Sequence, residues 1–260
     1  MPEVGRRRTQ YDPAVVGLCV RRVVTRLAAA TAAVALLVQC GASPPPTPPT
    51  PTPPPSTTSP SPSAAPPPTT PSPAPARVLP VTAAELGESW RPGCPLDPAQ
   101  LRRVEIDHLG MDGEVHRGEL IVHEDLVPEV IDIFDQLRQV RYPIEKMRTP
   151  DHYPRADDEL SMRDNNTSAF NCRDIPGTGN WSLHAYGRAI DINPLLNPYI
   201  DSIGAFQPAN AAPYLDRNRV DPGVLHDGDP AVRIFIDRGW HWGGDWQTPK
   251  DYQHFERRNQ

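Results

Sequence analysis

Positive charge is the first shortage in this chain. Its 26 Lys and Arg are outnumbered by 32 Asp and Glu, giving a net charge of −6 and a pI near 5.7. That balance argues against nucleic acid as a partner, because phosphate binding draws on clustered cationic side chains. Length of apolar run is the second. The apolar stretch 27–38 holds about a dozen residues, short of the ~20 needed to span a bilayer. Between Pro44 and Ala76 there is no aromatic and no branched aliphatic residue, only Pro, Ser, Thr and Ala. Such a stretch has nothing to bury and cannot build a core. Cysteine is scarce as well, with four in 260 residues.

What is present falls into three parts. Residues 1–40 have the pattern of an export signal. Arg21, Arg22 and Arg26 form a positive region, the apolar run 27–38 follows, and Cys40 comes directly after in Leu37-Val38-Gln39-Cys40-Gly41. That last string resembles a bacterial lipobox, with Gln39 standing where small residues are usual. Cys40 is therefore a lipidation candidate, and the alternative is a plain secretory signal cut nearby. Residues 41–77 make a Pro/Ser/Thr-rich linker. Its proline density favours extended polyproline II at ~3.1 Å per residue, so it is either a stiff tether or a generic spacer. Residues 78–260 are of a size suited to one folded domain with a single core.

Within that domain, Leu101–Leu109 and Gly118–His123 read as strands joined through a turn at Asp112-Gly113. A helix opens at Glu124-Asp125, tolerates Pro128 in its first turn and sets Val130, Ile131, Phe134 and Leu137 at helical spacing. Ile144–Met147 reads as a short strand and Asp151–Asp158 as a loop. The stretch from Asn193 to Pro222, rich in Asn, Pro and Asp, reads as a long loop. Asp229-Pro230 opens a further helix that Gly239 ends. Cys94 and Cys172 are the two cysteines of this exported domain, and a disulfide between them is expected, the alternative being that both thiols hold metal.

The chemistry concentrates in Ser182-x-His184-x-x-Gly187-x-Ala189-x-Asp191 and in Asp251-x-x-His254. Arg188 to Asn193 alternates as a half-buried strand does, with Ile190 and Ile192 inward and Asp191 on the opposite face. A turn at Tyr186-Gly187 can fold His184 back over that face. Two histidines and one carboxylate suit zinc, and three protein ligands leave a fourth tetrahedral position for water, the arrangement of catalytic sites. Asp251, three residues before His254, is placed to act as a general base. As a free carboxylate it is expected to be largely ionised at neutral pH.

These two motifs, with Gly239-Trp240-His241-Trp242-Gly243-Gly244-Asp245-Trp246 between them, resemble the M15 metallopeptidases. That family includes D-alanyl-D-alanine carboxypeptidases and L-alanyl-D-glutamate endopeptidases and shares its fold with the hedgehog signalling domain. The resemblance runs from about Trp90 to Phe255. It implies an α+β fold, a small and mainly antiparallel sheet with helices packed on it, in one domain. It implies one Zn2+ held by His184, Asp191 and His254, with Asp251 as the base. Arg163 matches a family arginine that contacts substrate beside the zinc, and an arginine there can hold a carboxylate or a developing oxyanion. Ser182, His241 and Trp242 are the remaining candidate substrate-binding residues. His241 either lines the cleft and assists proton transfer or packs, and the tryptophans read as core and cleft wall.

The implied function is a zinc metallopeptidase acting on peptidoglycan stem peptides, of carboxypeptidase or endopeptidase type. Aspartate rather than glutamate at position 251 leans toward the endopeptidase branch. The competing reading is a non-catalytic zinc-containing wall-binding module. A cell-envelope location is expected, either membrane-anchored through a lipid on Cys40 or secreted, with the protein acting as a monomer.

Overall fold

A computed structural model describes residues 74–258; the export segment, Cys40 and most of the linker lie outside them. The described chain is an α+β domain of small, mostly antiparallel sheets with helices packed on them. Among the described residues no helix is long and apolar enough to cross a membrane.

The largest sheet comprises β1 (Arg77–Pro80), β2 (Leu101–Leu109) and β3 (Val115–His123), all antiparallel in the order β1-β2-β3. The β2–β3 hairpin turns at Asp112-Gly113, where Gly113 sits at φ 82°, as the sequence predicts. β3 begins at Val115, three residues ahead of the expected start. Its first three residues, Val115, His116 and Arg117, are all exposed and therefore carry no burial signal. The chain is tied to this sheet already at Ala74, whose N–H donates to Asp107 Oδ2 at 2.7 Å.

Both faces of the sheet are covered. On one, Val104, Ile106, Leu120 and Val122 meet α2 (Val127–Gln139) through Val130, Ile133, Phe134 and Leu137, all fully or almost fully buried. Ile131, expected on this apolar stripe, is only partly buried at its margin. On the other, Leu101 and Ile121 pack with Val81, Leu86 of α1 (Ala83–Leu86), Leu96, Phe170 and Cys172. α1 opens with a capping box between Thr82 and Glu85. A Cys94–Cys172 disulfide with Cα atoms 5.9 Å apart staples this second cluster.

Beyond α2 come a parallel pair, β4 (Lys146–Met147) and β5 (Asn166–Thr167), with α3 (Asp158–Arg163) between them. β6 (Ala189–Asp191) follows. It pairs antiparallel with β11 (His254–Glu256), which pairs in turn with β9 (His241–Trp242). α4 (Pro230–Ile236) packs beneath them, with Phe235 stacked on Phe255 at 4.0 Å between ring centroids.

The stretch 193–222, expected to be a loop, contains a hairpin. β7 (Tyr199–Ile200) pairs with β8 (Phe206–Gln207) on one side and with β10 (Lys250–Asp251) on the other. The strands are two residues long, too short to leave an alternation pattern. Arg217 anchors the rest of the segment by donating to the carbonyls of Leu196, Tyr214 and Leu225 while lying over the Tyr252 ring.

Candidate metal centre

His184 stands on a tight turn, Leu183–Tyr186. Ser182 opens it, its hydroxyl accepting from the His184 N–H at 3.3 Å, and Gly187 closes it in the left-handed region at φ 62°. Only glycine fits there, because a Cβ would lie 2.6 Å from the His123 backbone nitrogen. The Gly187 carbonyl also accepts from that N–H at 2.9 Å. The turn is thus pinned to the end of β3, and His184 is swung over the face of β6.

Asp191 closes β6, directly opposite His254 of β11. Its backbone also bridges Ser168 on the other edge. β6 is buried on both faces, not half-buried: Ile190 enters the core, and Asp191 is covered by the two histidines.

Three donor atoms converge. His184 Nε2 lies 3.1 Å from Asp191 Oδ2, His254 Nδ1 lies 3.0 Å from Asp191 Oδ1, and the two nitrogens are 3.2 Å apart. A tetrahedral ion with ligands at ~2.0 Å has donor–donor edges of about 3.3 Å, so this spacing fits a small divalent cation. The chemistry of the set fits too. His184 Nδ1 is 2.6 Å from the Ala169 carbonyl, which fixes the proton there and leaves a lone pair on Nε2. Among the described residues this is the one cluster of His, Cys, Asp or Glu that can hold a metal ion.

The charges respond accordingly. Burial would raise the pKa of Asp191, but the two histidines hold its carboxyl well below the usual range. Burial would lower that of His254, yet hydrogen bonds with Asp191 and Glu256 push it up to about 10. A proton on His254 here occupies the place of a cation.

Asp251 enters from β10. Its side chain is half-buried, but Oδ1 is enclosed and has no hydrogen-bond partner. Burial, opposed by the charge of His254 and reinforced by Asp191, raises its pKa to about 7. The expectation of a carboxylate largely ionised at neutral pH is thereby corrected, since a carboxylate beside Asp191 and partly withdrawn from water resists charging.

The arginine beside this cluster is Arg173. Its Nη2 lies 3.8 Å from Asp191 Oδ2 and its Nε 3.1 Å from Asp158 Oδ2. Arg163, the sequence candidate, ends α3 with its side chain exposed, and among the described residues no hydrogen bond or ion pair ties its guanidinium to the cluster. The helix that carries it turns the buried Ser161 and Met162 inward instead. Trp242, a substrate-binding candidate in a run of tryptophans read as core and cleft wall, takes the core role. It is 2 % exposed, with its indole N–H on the Tyr252 carbonyl and its ring near Phe255. The aromatic ring beside the ligands is Trp246, 5.5 Å from His254 between centroids. His241 is exposed, lines a surface cavity of about 340 Å3 together with Trp246, and touches none of the three ligands through a hydrogen bond. Ser182 acts on the backbone of the His184 turn. A cavity of about 390 Å3 around Tyr142 and Asp221 contains none of these residues.

Arg173, Trp246 and Glu256 are the site neighbours that sequence reasoning missed. Arg173 directly follows Cys172, and that adjacency to a disulfide cysteine is the one signal that marked it. Residues 176–257 match a family model of the M15 peptidases described as D-alanyl-D-alanine carboxypeptidase. No curated protein and no solved structure matches the chain. The match contains both motifs, whereas Arg173, Asp158 and the disulfide lie upstream of it; the disulfide is the pairing expected from the sequence, and Arg173 and Asp158 are brought to the site by the structure.

Proposed function

We propose, from the match of residues 176–257 to the M15 peptidases, that the chain is a member of that family and a zinc-dependent hydrolase of peptidoglycan stem peptides, with His184, Asp191 and His254 as the metal ligands. The observation that carries the proposal is the convergence of two imidazole lone pairs and a carboxylate at 3.0–3.2 Å beside a buried carboxylate oxygen that has no partner.

Zinc in such a site supplies Lewis acidity toward water and a carbonyl oxygen at neutral pH. The remaining work falls to the chain. Asp251 Oδ1 accepts the proton of the attacking water; it is enclosed and uncommitted, and a carboxylate of raised basicity is suited to that step. The same carboxyl returns the proton to the leaving amine. Arg173, held between Asp158 and Asp191, offers its fixed charge to the developing oxyanion or to a stem-peptide carboxylate. Trp246 walls one side of His254. Export by residues 1–40, with residues 41–77 as the tether, is part of the same proposal, and it puts the domain where its substrate is.

The test is incubation of the zinc-loaded protein with purified peptidoglycan and soluble muropeptides, read by mass spectrometry, with Asp251→Ala as control. Free D-alanine identifies a carboxypeptidase and a severed L-Ala stem an endopeptidase. The variant is expected to keep its zinc and lose turnover by about 10²–10⁴-fold. A folded, zinc-loaded wild type that cleaves no muropeptide would reject the enzyme reading in favour of a binding module.

A further inference from the structure

The two proposed histidine ligands present different nitrogens, His184 its Nε2 and His254 its Nδ1. Each ring must therefore place its other nitrogen on an acceptor. For His184 that acceptor is a backbone carbonyl, Ala169 O at 2.6 Å. For His254 it is a side chain, Glu256 Oε2 at 3.4 Å from Nε2.

Glu256 is built for this. It lies two residues beyond His254 on β11, so strand alternation sets both on one face while Phe255 points into the core. It is 6 % exposed, a depth at which a glutamate is found only when its oxygens are paired. Its second oxygen, Oε1, accepts from Arg258 Nε at 2.7 Å, which leaves Oε2 directed at the imidazole. Glu256 is outside the metal-capable cluster and so is not itself a ligand. Rotating the His254 ring by half a turn would put carbon atoms where both nitrogens now meet carboxylates. The two acceptors, Asp191 and Glu256, thus select one ring orientation between them.

We infer that Glu256 is the positioning residue of the metal centre: by accepting the Nε2–H of His254 it fixes the ring so that Nδ1 faces the metal. This rests on the zinc-site reading above and extends it beyond the three ligands. Carboxylate acceptors behind ligating histidines raise the basicity of the ring as well as orienting it.

The experiment uses the full chain as wild type, Glu256→Gln and Glu256→Ala, with zinc affinity measured by competition against a fluorescent chelator. Alanine is expected to weaken zinc binding by about 10–100-fold, and glutamine, whose amide oxygen still accepts from Nε2–H, to restore most of the loss. Long-range proton–nitrogen NMR of the zinc-loaded wild type is expected to show the His254 proton on Nε2 and the metal on Nδ1. Unchanged affinity in Glu256→Ala, or metal on Nε2 of His254, overturns the inference while leaving the zinc site standing. A wild type that binds no zinc overturns both. Should the alanine variant fail to fold, the NMR assignment on the wild type decides the question.

Discussion

Asp251 and His254 are three residues apart, and burial acts on both, but in the metal-free protein both gain protons relative to the unfolded chain. Asp251 rises from 3.8 to about 7, so the stability it contributes is complete below pH 3.8 and lost as pH rises through 7. His254 rises from 6.5 to about 10, so its contribution is complete below pH 6.5 and lost as pH rises through 10. The metal-free protein should therefore melt at progressively lower temperature from pH 6.5 to 10, and Asp251→Asn should be the more stable protein at pH 8. Zinc must displace the His254 proton, so its apparent affinity should climb about tenfold per pH unit across that window. Calorimetry with and without zinc, and chelator competition at several pH values, measure both trends. A metal-free melting temperature that stays flat from pH 6.5 to 10 would contradict the burial of a proton at this site. The two arginines give a second residue-scale test. Arg173→Ala should keep zinc and lose about 10²–10³-fold in turnover, as loss of an oxyanion donor does. Arg163→Ala, at an exposed helix end, should change turnover by no more than about twofold. The reverse ranking would return the role to Arg163.

At the scale of elements, the site depends on a turn more than on a strand. Gly187 is at φ 62°, and an added Cβ meets the His123 backbone nitrogen, an atom that cannot rotate away. Gly187→Ala should destabilise the fold by about 2 kcal/mol or more in chemical denaturation, combining an unfavourable φ with a backbone clash. Zinc affinity should fall with it, because the shift falls on the turn that carries His184. What was legible in the sequence follows from this geometry. His184, Gly187 and Asp191 were readable because their string implies a turn followed by an alternation, and His254 because Asp251-x-x-His254 completes a zinc-like donor set and resembles the second motif of the M15 peptidases. The β2–β3 hairpin, α2 and α4 were readable because their apolar residues repeat with the period of the element. Arg173 was not, because its position depends on the segment 168–173, which no local pattern defines. That segment is set by pairing at a distance: Ser168 with Asp191, the Ala169 carbonyl with His184, the Phe170 N–H with the Ile121 carbonyl at 3.0 Å, and Cys172 with Cys94. Trp246 and Glu256 were passed over because a tryptophan in a Trp-rich run and a glutamate near the chain end carry no mark of burial until β11 is seen in the middle of its sheet. The β7–β8 hairpin was missed because two-residue strands have no period.

At the scale of the whole domain, the described residues form two apolar clusters, and the segment 168–173 crosses from one to the other. Ala169 belongs to the larger, together with Ile190, Trp242 and Phe255 behind the ligands; Phe170 and Cys172 belong to the smaller, under the N-terminal arm. The proposed ligands are thus seated on one cluster, while Arg173 is the first residue past the staple of the other. The disulfide spans 78 residues of sequence, and removing it should cost about 2–5 kcal/mol. The two-cluster layout predicts where else that loss is felt. In Cys94→Ser/Cys172→Ser, zinc affinity should stay close to wild type, because β6, β11 and the His184 turn keep their own packing. Turnover should fall further than affinity, because the arm also holds the segment through the Cys172 N–H on the Ser89 carbonyl and through Arg91 on the Cys172 carbonyl, and loosening it frees Arg173. Denaturant melts, chelator competition and muropeptide turnover on the same preparation separate the three effects. Equal losses in affinity and turnover would mean that the two clusters support the site as one body, and the division of labour between ligands and arginine would have to be given up.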